Sequence, residues 1–212
     1  LEAIAIPMYG RQIHNMDGST IFQAYGKNNE AIYSVSRGEL NLQLIKAAEA
    51  MGAQFIFDAR SNNVDVKTNV VTYVQDSNTI ELKADLLIGS DGAFSSLRSA
   101  YTTLDKCDYQ QFYIEHGYKE LHIPATKNGG FALEKNALHI WPRKNFMLIA
   151  LPNQDGSFTL TLFFPFKGEI SFETINTDAE IKNFFETYFA SAVPLMPDYI
   201  QDYKNNPTSS LV

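Results

Sequence analysis

Between residues 145 and 165 apolar positions recur with a period of two. Phe158, Leu160, Leu162 and Phe164 point to one side of an extended strand, and Thr159, Thr161 and Phe163 to the other. Phe146, Leu148 and Ala150 oppose Met147, Ile149 and Leu151 in the same way. Strands with apolar groups on both faces need both faces covered. The pattern therefore predicts a sheet with helices on one side and a closed pocket on the other. Residues 178–189, with Ile181, Phe184, Phe185 and Tyr188 on one helical face, are the predicted cover. Further strands are expected at about 110–123, 130–134 and 137–141.

The first half reads differently. Residues 1–35 alternate enough for three or four strands, with Asp17-Gly18-Ser19 as a hairpin turn. Ser36 and Glu39 have the spacing of a capping box. The helix it opens carries Leu40, Leu44, Ala47, Ala48 and Met51 on one face, and Gly52 sits at its C-cap. Strands are expected at about 53–58, 64–68 and 70–75, and Asp76-Ser77-Asn78 turns the chain into a return strand. Leu86 to Ile88 read as a buried strand over 84–89 that ends at Gly89, followed by an Asp91-Gly92 turn and a helix opening near Ser95. Free amides at such an opening suit a polyanion. The chain shows no internal repeat. The class is mixed α/β (α+β), with a mostly antiparallel sheet covered by helices in its second half.

Composition narrows the partners. With 212 residues and 45% apolar content the chain has room for one large or two small domains. Aromatic residues become dense after residue 108, which suggests a division into 1–107 and 108–212. A net charge of −7 argues against nucleic acid. The single cysteine, Cys107, excludes an intrachain disulfide and reads as a small, at least half-buried thiol. No apolar run is long enough to span a membrane, and no glycosylation sequon free of proline occurs, which together favour a cytoplasmic location. Leu1 and the polar stretch up to Val212 read as the ends of a piece from a larger protein.

Few side chains suggest chemistry. Arg11 and Tyr25 could clamp a carboxylate, with a guanidinium fork and one hydroxyl donor; from the residues alone a solvent-facing Arg on a hairpin is the simpler reading of Arg11. Arg37 stands in the first turn of a helix, where a cation opposes the macrodipole. A phosphate partner or an ion pair with Glu30 or Glu39 would account for it. Asp91 and Arg98 read either as a cap and a surface charge or as ligand contacts beside Gly92. Trp141 reads as core. His14, His116, His122 and His139 have no metal-ligand spacing, and no Ser-His-Asp or Cys-His set is visible. That absence suits an enzyme whose cofactor does the difficult chemistry.

The stretch from Asp85 through Gly89, Asp91-Gly92 and Ser95 to Arg98 resembles the Asp-Gly fingerprint of the FAD-dependent aromatic hydroxylases. Ile6–His14, Ser34–Arg37, His116–Leu121, Leu138-His-Ile-Trp-Pro-Arg143, Ile149–Asn153 and Ser157–Phe163 resemble, more specifically, the kynurenine 3-monooxygenase family. The resemblance implies the middle part of that hydroxylase fold. Residues 1–107 would belong to the FAD-binding domain and carry the N-terminal clamp strands; 108–212 would form the substrate-binding sheet. It implies FAD, with NADPH as co-substrate, and hydroxylation of L-kynurenine to 3-hydroxykynurenine by O2. Arg11 and Tyr25 would hold the substrate carboxylate, and Leu138, Ile149, Leu151 and Phe163 the ring. Arg37, Ser61, Asp91, Gly92 and Arg98 would serve the cofactors. The family's Gly-x-Gly-x-x-Gly unit is not in this chain, so a fragment would hold FAD poorly. The alternatives are another FAD-dependent aromatic hydroxylase or a non-catalytic binding or interaction domain.

Overall fold

The computed structural model describes residues 2–104 and 107–212; Leu1, part of the expected N-terminal strands, lies outside them. After a 3-10 turn come β1 (Ala5–Met8), β2 (Gly10–His14), β3 (Thr20–Ala24), β4 (Ile32–Val35) and α1 (Arg37–Ala50). Next follow β5 (Arg60–Asp65), β6 (Val70–Gln75), β7 (Asn78–Lys83) and α2 (Ser96–Thr102). The second half supplies β8 (His116–Ile123), β9 (Ala137–Arg143), β10 (Phe146–Pro152), β11 (Phe158–Pro165), α3 (Asp178–Tyr188), α4 (Tyr199–Asn205) and β12 (Ser209–Ser210). The chain divides into two compact units. One runs from the N-terminus to Lys46 and takes in Tyr113–Leu211; the other is Ala47–Phe112 with Val212. No described helix is long and apolar enough to cross a membrane.

The first unit is built on a seven-stranded sheet of order β12-β8-β11-β10-β9-β2-β3. Its pairs are antiparallel except β2 with β9, which run parallel in the register Gly10↔Ala137 to Ile13↔Ile140. β1 and β4 form a separate two-stranded ribbon. The alternation read in the sequence is realised: Phe158, Leu160, Leu162 and Phe164 are buried while Thr159, Thr161 and Phe163 are partly exposed. The buried face meets α3 through Ile181, Phe184 and Phe185, and meets Tyr199 and Tyr203 of α4. Phe164 packs edge-to-face on Phe146 and Phe172 and tilted on Phe184, with ring centroids 5.3, 5.0 and 4.8 Å away. Each fully buried side chain of this size contributes roughly 1.5–3 kcal/mol. Thr177 and Glu180 close a complete capping box at the start of α3.

Two hairpins share one loop. Asn15-Met-Asp-Gly-Ser19 joins β2 to β3, and Asn153-Gln-Asp-Gly-Ser157 joins β10 to β11. In each, the Asn side chain donates to the Ser hydroxyl (2.9 and 3.0 Å). The Ser amide and hydroxyl both donate to the Asp carboxylate in each loop. This short repeat, five residues long and absent from the expectations above, fixes register rather than fold.

The second unit holds the three-stranded sheet β5-β6-β7, with α2 against β5. The β6–β7 turn is a two-residue loop with Asp76 and Ser77 both at positive φ (49° and 64°), the backbone of a type I′ hairpin. Several expectations fail here. Residues 84–89 are not a buried strand: Leu86 is 74% and Ile88 82% exposed. Residues 53–58 are not a strand either, nor are 110–115, nor 130–134 of the first unit. An apolar run becomes a strand only where a neighbouring strand takes up its amides. The pairings formed here lie elsewhere in sequence. α1 has the expected start, with the Glu39 amide donating to Ser36 Oγ, yet Glu39 itself accepts from Gln43 rather than completing the box. At its far end the Gly52 and Ala53 amides donate to Glu49 and Ala48, a Schellman closure. Its apolar stripe is uncovered, with Met51 89% exposed, and Cys107 is exposed rather than half-buried.

Candidate functional site

Six side chains were expected to hold a substrate, and the register of the first unit shows how they relate. Arg11 is paired across β2 and β9 with Leu138. Ile149 sits opposite Ile140 on β9 and Thr161 on β11. Leu151 is opposite Thr159, and Phe163 is opposite Met147 and Tyr118. Residues directly opposite across a ladder share a face. Arg11, Leu138, Ile149, Leu151 and Phe163 therefore stand on one face of one sheet, the face that α3 and α4 leave uncovered. Tyr25 follows β3, and its ring lies 5.7 Å from the Arg11 guanidinium carbon. Burial raises the Tyr25 pKa and Arg11 counters it in part, so the hydroxyl remains a donor at neutral pH. The four apolar groups are half-buried and Arg11 is exposed. The enclosure expected over this face is not built by the described residues.

Gly10 matters to this geometry. A Cβ there would stand 2.5 Å from the Gln23 carbonyl oxygen and 2.6 Å from the Phe22 ring. Any side chain would push β3, and Tyr25 beyond it, away from Arg11.

On the covered face beneath, the sheet carries a polar layer that the sequence did not reveal. His14 Nε2 lies 2.9 Å from His139 Nδ1, 125 residues away along the chain. His139 Nε2 reaches the Glu134 carbonyl at 2.8 Å. His14 stacks on Trp141 with ring centroids 4.1 Å apart, and Trp141 donates to Ser191 Oγ at 2.9 Å. Arg143 donates to the carbonyls of His14 (3.1 Å), Pro142 (2.6 Å) and Tyr188 (2.5 Å). Pro142 falls beyond the last β2–β9 pair, Ile13 with Ile140, so its missing amide breaks no ladder bond there. Burial chiefly, with His139 and Arg143 adding to it, lowers the His14 pKa to about 4; burial also lowers that of His139. Trp141 is buried in the core, as read from the sequence. The described histidines, cysteine and carboxylates form no cluster able to hold a metal ion.

In the second unit the Asp-Gly turn is where it was expected, with a different occupancy. Gly92 has φ +77°, and nothing lies within 4 Å of where its Cβ would stand. A non-glycine residue would be strained there whatever the space. Asp91 accepts from Ser95 Oγ (2.5 Å) and from the Ser96 amide (2.7 Å). Ser95 Oγ in turn accepts from the Arg98 amide at 3.0 Å. The Ser96 and Arg98 amides at the opening of α2 are thus taken up by the chain's own side chains. A carboxylate sits where a polyanion was expected, which corrects that reading. The Ser95 and Ser96 hydrogen bonds hold the Asp91 carboxyl down at about 2, so it is an anion at neutral pH, suited to accept from a hydroxyl. Ser61 Oγ is 3.0 Å from Ser96 Oγ and lines the same recess as Asp91. Arg98 is not a free cation: its guanidinium donates to the Gly92 (3.1 Å) and Ala93 carbonyls and stacks over Tyr109 at 4.5 Å. Arg37 of the first unit is exposed at the start of α1. Neither ion pair considered for it is formed among the described residues; Glu39 accepts from Gln43 and Glu30 from the Asn28 amide.

No protein-family model matches the chain. Single relatives match strongly. A protein of Dictyostelium discoideum named kynurenine 3-monooxygenase is 51% identical over 99% of this chain, which covers 45% of that protein. One of the same name from Flavobacterium johnsoniae is 44% identical over 99% of the chain, with 47% of it covered. The chain thus spans about half the length of the curated relatives it matches. Among solved structures, 2-methyl-3-hydroxypyridine-5-carboxylic acid oxygenase superposes with a TM-score of 0.71 at 17% identity, over 99% of this chain and 53% of that one. A Klebsiella pneumoniae HpxO variant complexed with FAD gives 0.63 at 14% identity, over 97% and 53%. These structures establish the fold, which is the α/β arrangement inferred from the sequence. Over nearly its whole length, then, the chain is similar to about half of proteins named kynurenine 3-monooxygenase.

Proposed function

We propose that this chain carries the carboxylate clamp and the ring-facing sheet of an NADPH- and FAD-dependent monooxygenase that hydroxylates L-kynurenine. The observation that carries the reading is the common face: Arg11, Leu138, Ile149, Leu151 and Phe163 stand together on it, with Tyr25 beside Arg11. The relatives named kynurenine 3-monooxygenase supply the substrate class. Arg11 would pair with the amino-acid carboxylate through its fork, and the Tyr25 hydroxyl would add a neutral donor. The aromatic ring would lie against Leu138, Ile149, Leu151 and Phe163, where burial of apolar area binds it without demanding a hydrogen bond. Residues 108–212 would supply most of that sheet, and residues 1–107 the clamp strands together with part of the FAD-binding domain.

The cofactor residues fit FAD in two ways. Arg37, an exposed cation on the first turn of α1, suits a phosphate, and the Asp91 anion beside the open space at Gly92 suits a ribose hydroxyl. Ser61 would add a hydroxyl in the same recess as Asp91. Arg98 would act by bracing the Gly92–Ala93 carbonyls. When bound, FAD reduced by NADPH supplies the oxygen-transfer chemistry; the residues of this chain hold and orient the ring.

The test is amide and methyl NMR of the chain titrated with L-kynurenine. Shift changes are expected at Arg11, Leu138, Ile149, Leu151 and Phe163. They should vanish in Arg11→Ala and with an analogue lacking the carboxylate. Perturbations confined to other residues, or ones indifferent to the carboxylate, would overturn the proposal.

A further inference from the structure

The buried layer under the clamp contains two imidazoles that the proposed reaction does not use. Their hydrogen bonds define their protonation. His139 Nε2 faces a carbonyl oxygen, that of Glu134, so this nitrogen must carry the proton. That leaves His139 Nδ1 as a lone pair, and His14 Nε2 must be the donor to it at 2.9 Å. Both rings are then neutral, each with a proton on Nε2. A further proton on His139 Nδ1 would meet the His14 N–H head-on. A further proton on His14 Nδ1 would create a cation beside Arg143, which already holds the His14 carbonyl.

The surroundings give a second positive charge little relief. Arg143, on β9, is itself buried, and it reaches the carbonyl oxygens of His14, Pro142 and Tyr188 and lies over the Phe189 ring. Glu134, in the loop before β9, is the carboxylate that acts on His139. Lys135 beside it turns toward the Phe131 ring, 6.0 Å away. β3, the other neighbour of β2, carries no titratable side chain over Thr20–Ala24. α3 contributes the Tyr188 carbonyl to Arg143. The Trp141 face under His14 offers a cation some compensation; burial and Arg143 work against it.

Position gives the pair its consequence. His14 is the last residue of β2, and Arg11 lies on the same strand three residues before it. His139 lies on β9 next to Leu138, the partner of Arg11. The β2–β9 pairing is only four residues long, parallel, and lies next to the sheet edge formed by β3. The imidazole bond and the Arg143–His14 bond pin its far end.

We propose that His14 and His139 are positioning residues for Arg11: a neutral imidazole clasp that seats the β2–β3 hairpin against β9 and that acid releases, withdrawing the carboxylate clamp from the open face. The link to ligand binding rests on the function proposed above; release of the hairpin does not. The sign follows from linkage. The freed imidazole has its ordinary value of 6.5, and the seated one sits near 4. Protons therefore favour the released hairpin increasingly as the pH falls from 6.5 toward 4, and the clasp is at full strength above 6.5.

The chain has its own reporter, because Trp141 is the only tryptophan and lies against His14. Trp141 fluorescence should change in one step between pH 6.5 and 4. Hydrogen exchange over the same step should show amides of β2 and β3 losing at least tenfold protection while those of β10 and β11 keep theirs. His14→Gln restores a neutral N–H donor that cannot titrate there; it should retain the protection and remove the step. His14→Phe keeps the stack without the donor and should lower β2 and β3 protection at every pH. The proposal is overturned if the fluorescence step persists in His14→Gln. It is also overturned if β10 and β11 lose protection together with β2, which is general acid unfolding. L-kynurenine shifts at Leu138 and Ile149 should fade across the same step; binding that ignores it would break the link to Arg11. No binding at neutral pH would count against the substrate reading alone, with exchange still deciding the clasp.

Discussion

Phe163 and Phe164 are adjacent on β11 and point to opposite sides of the sheet, so truncating each should produce a different kind of damage. Phe164 is fully buried among the rings of Phe146, Phe172 and Phe184. Phe164→Ala opens a cavity between sheet and helix, at a cost of about 3–5 kcal/mol. Phe163 is only half-buried, and the Tyr118 ring beside it is 6.2 Å away. Phe163→Ala forfeits part of one side chain's burial, about 1 kcal/mol. With a urea slope of roughly 2 kcal/mol per molar, Phe164→Ala should lower the midpoint by about 1.5–2.5 M and Phe163→Ala by about 0.5 M. Urea titration followed by Trp141 fluorescence reads this unit specifically, since Trp141 lies in its core. Ligand binding should show the reverse order: Phe163→Ala weakens L-kynurenine, and folded Phe164→Ala leaves it nearly intact. Equal midpoint shifts for the two variants would refute the division of the sheet into a structural and a ligand face.

Three further outcomes are expected. Arg11→Ala should weaken L-kynurenine roughly ten- to a hundredfold, the loss of a charged hydrogen bond of about 1.5–3 kcal/mol, with a thermal melt unchanged; calorimetric titration reads the first and a melt the second. Asp91→Ala removes the acceptor at the opening of α2 and should cost about 0.5–2 kcal/mol of that unit's stability, read by hydrogen exchange of α2 amides. Because hydrogen bonds hold the Asp91 carboxyl near 2, its contribution is present above the usual carboxylate pKa of 3.8 and is lost as the pH falls toward 2; protection of α2 that is flat across that interval would contradict this. Thr177→Ala breaks the capping box of α3 and should lower the melting temperature through a loss of about 1 kcal/mol, while Thr177→Ser should not.

What the sequence disclosed depended on whether neighbours in the chain are also neighbours in space. β10, β11 and α3 were legible because their patterns are complete within single elements and the elements pack on one another. The β2–β3 hairpin was legible from Asp17-Gly18-Ser19, which makes its turn by local hydrogen bonds. Residues 84–89 and the stripe of α1 misled for the opposite reason. Their apolar residues follow strand and helix patterns, yet the described residues provide no strand or layer to bury them. Periodicity states which face wants cover; it cannot state that cover is present.

The candidate site shows the same division residue by residue. Leu138, Ile149, Leu151 and Phe163 could be assigned to one face from strand alternation, because a period of two fixes the side of every residue once one is fixed. The proximity of Arg11 to Tyr25 required the hairpin and the close approach at Gly10. At the Asp-Gly turn the residues were found and their employment was not: Asp91 and Arg98 spend their hydrogen bonds on the turn itself. A carboxylate so engaged is fixed in direction and kept ionised, which is the condition for accepting a ligand hydroxyl in a defined place. Structural and ligand roles for Asp91 are therefore one arrangement, separable by experiment only through a variant that keeps the cap. Asp91→Asn does so: its side-chain oxygen can still accept from the Ser96 amide, while the anion is gone. Retained α2 protection in Asp91→Asn together with weakened FAD binding would assign the charge to the cofactor; retained protection with unchanged FAD binding would leave Asp91 to the turn alone.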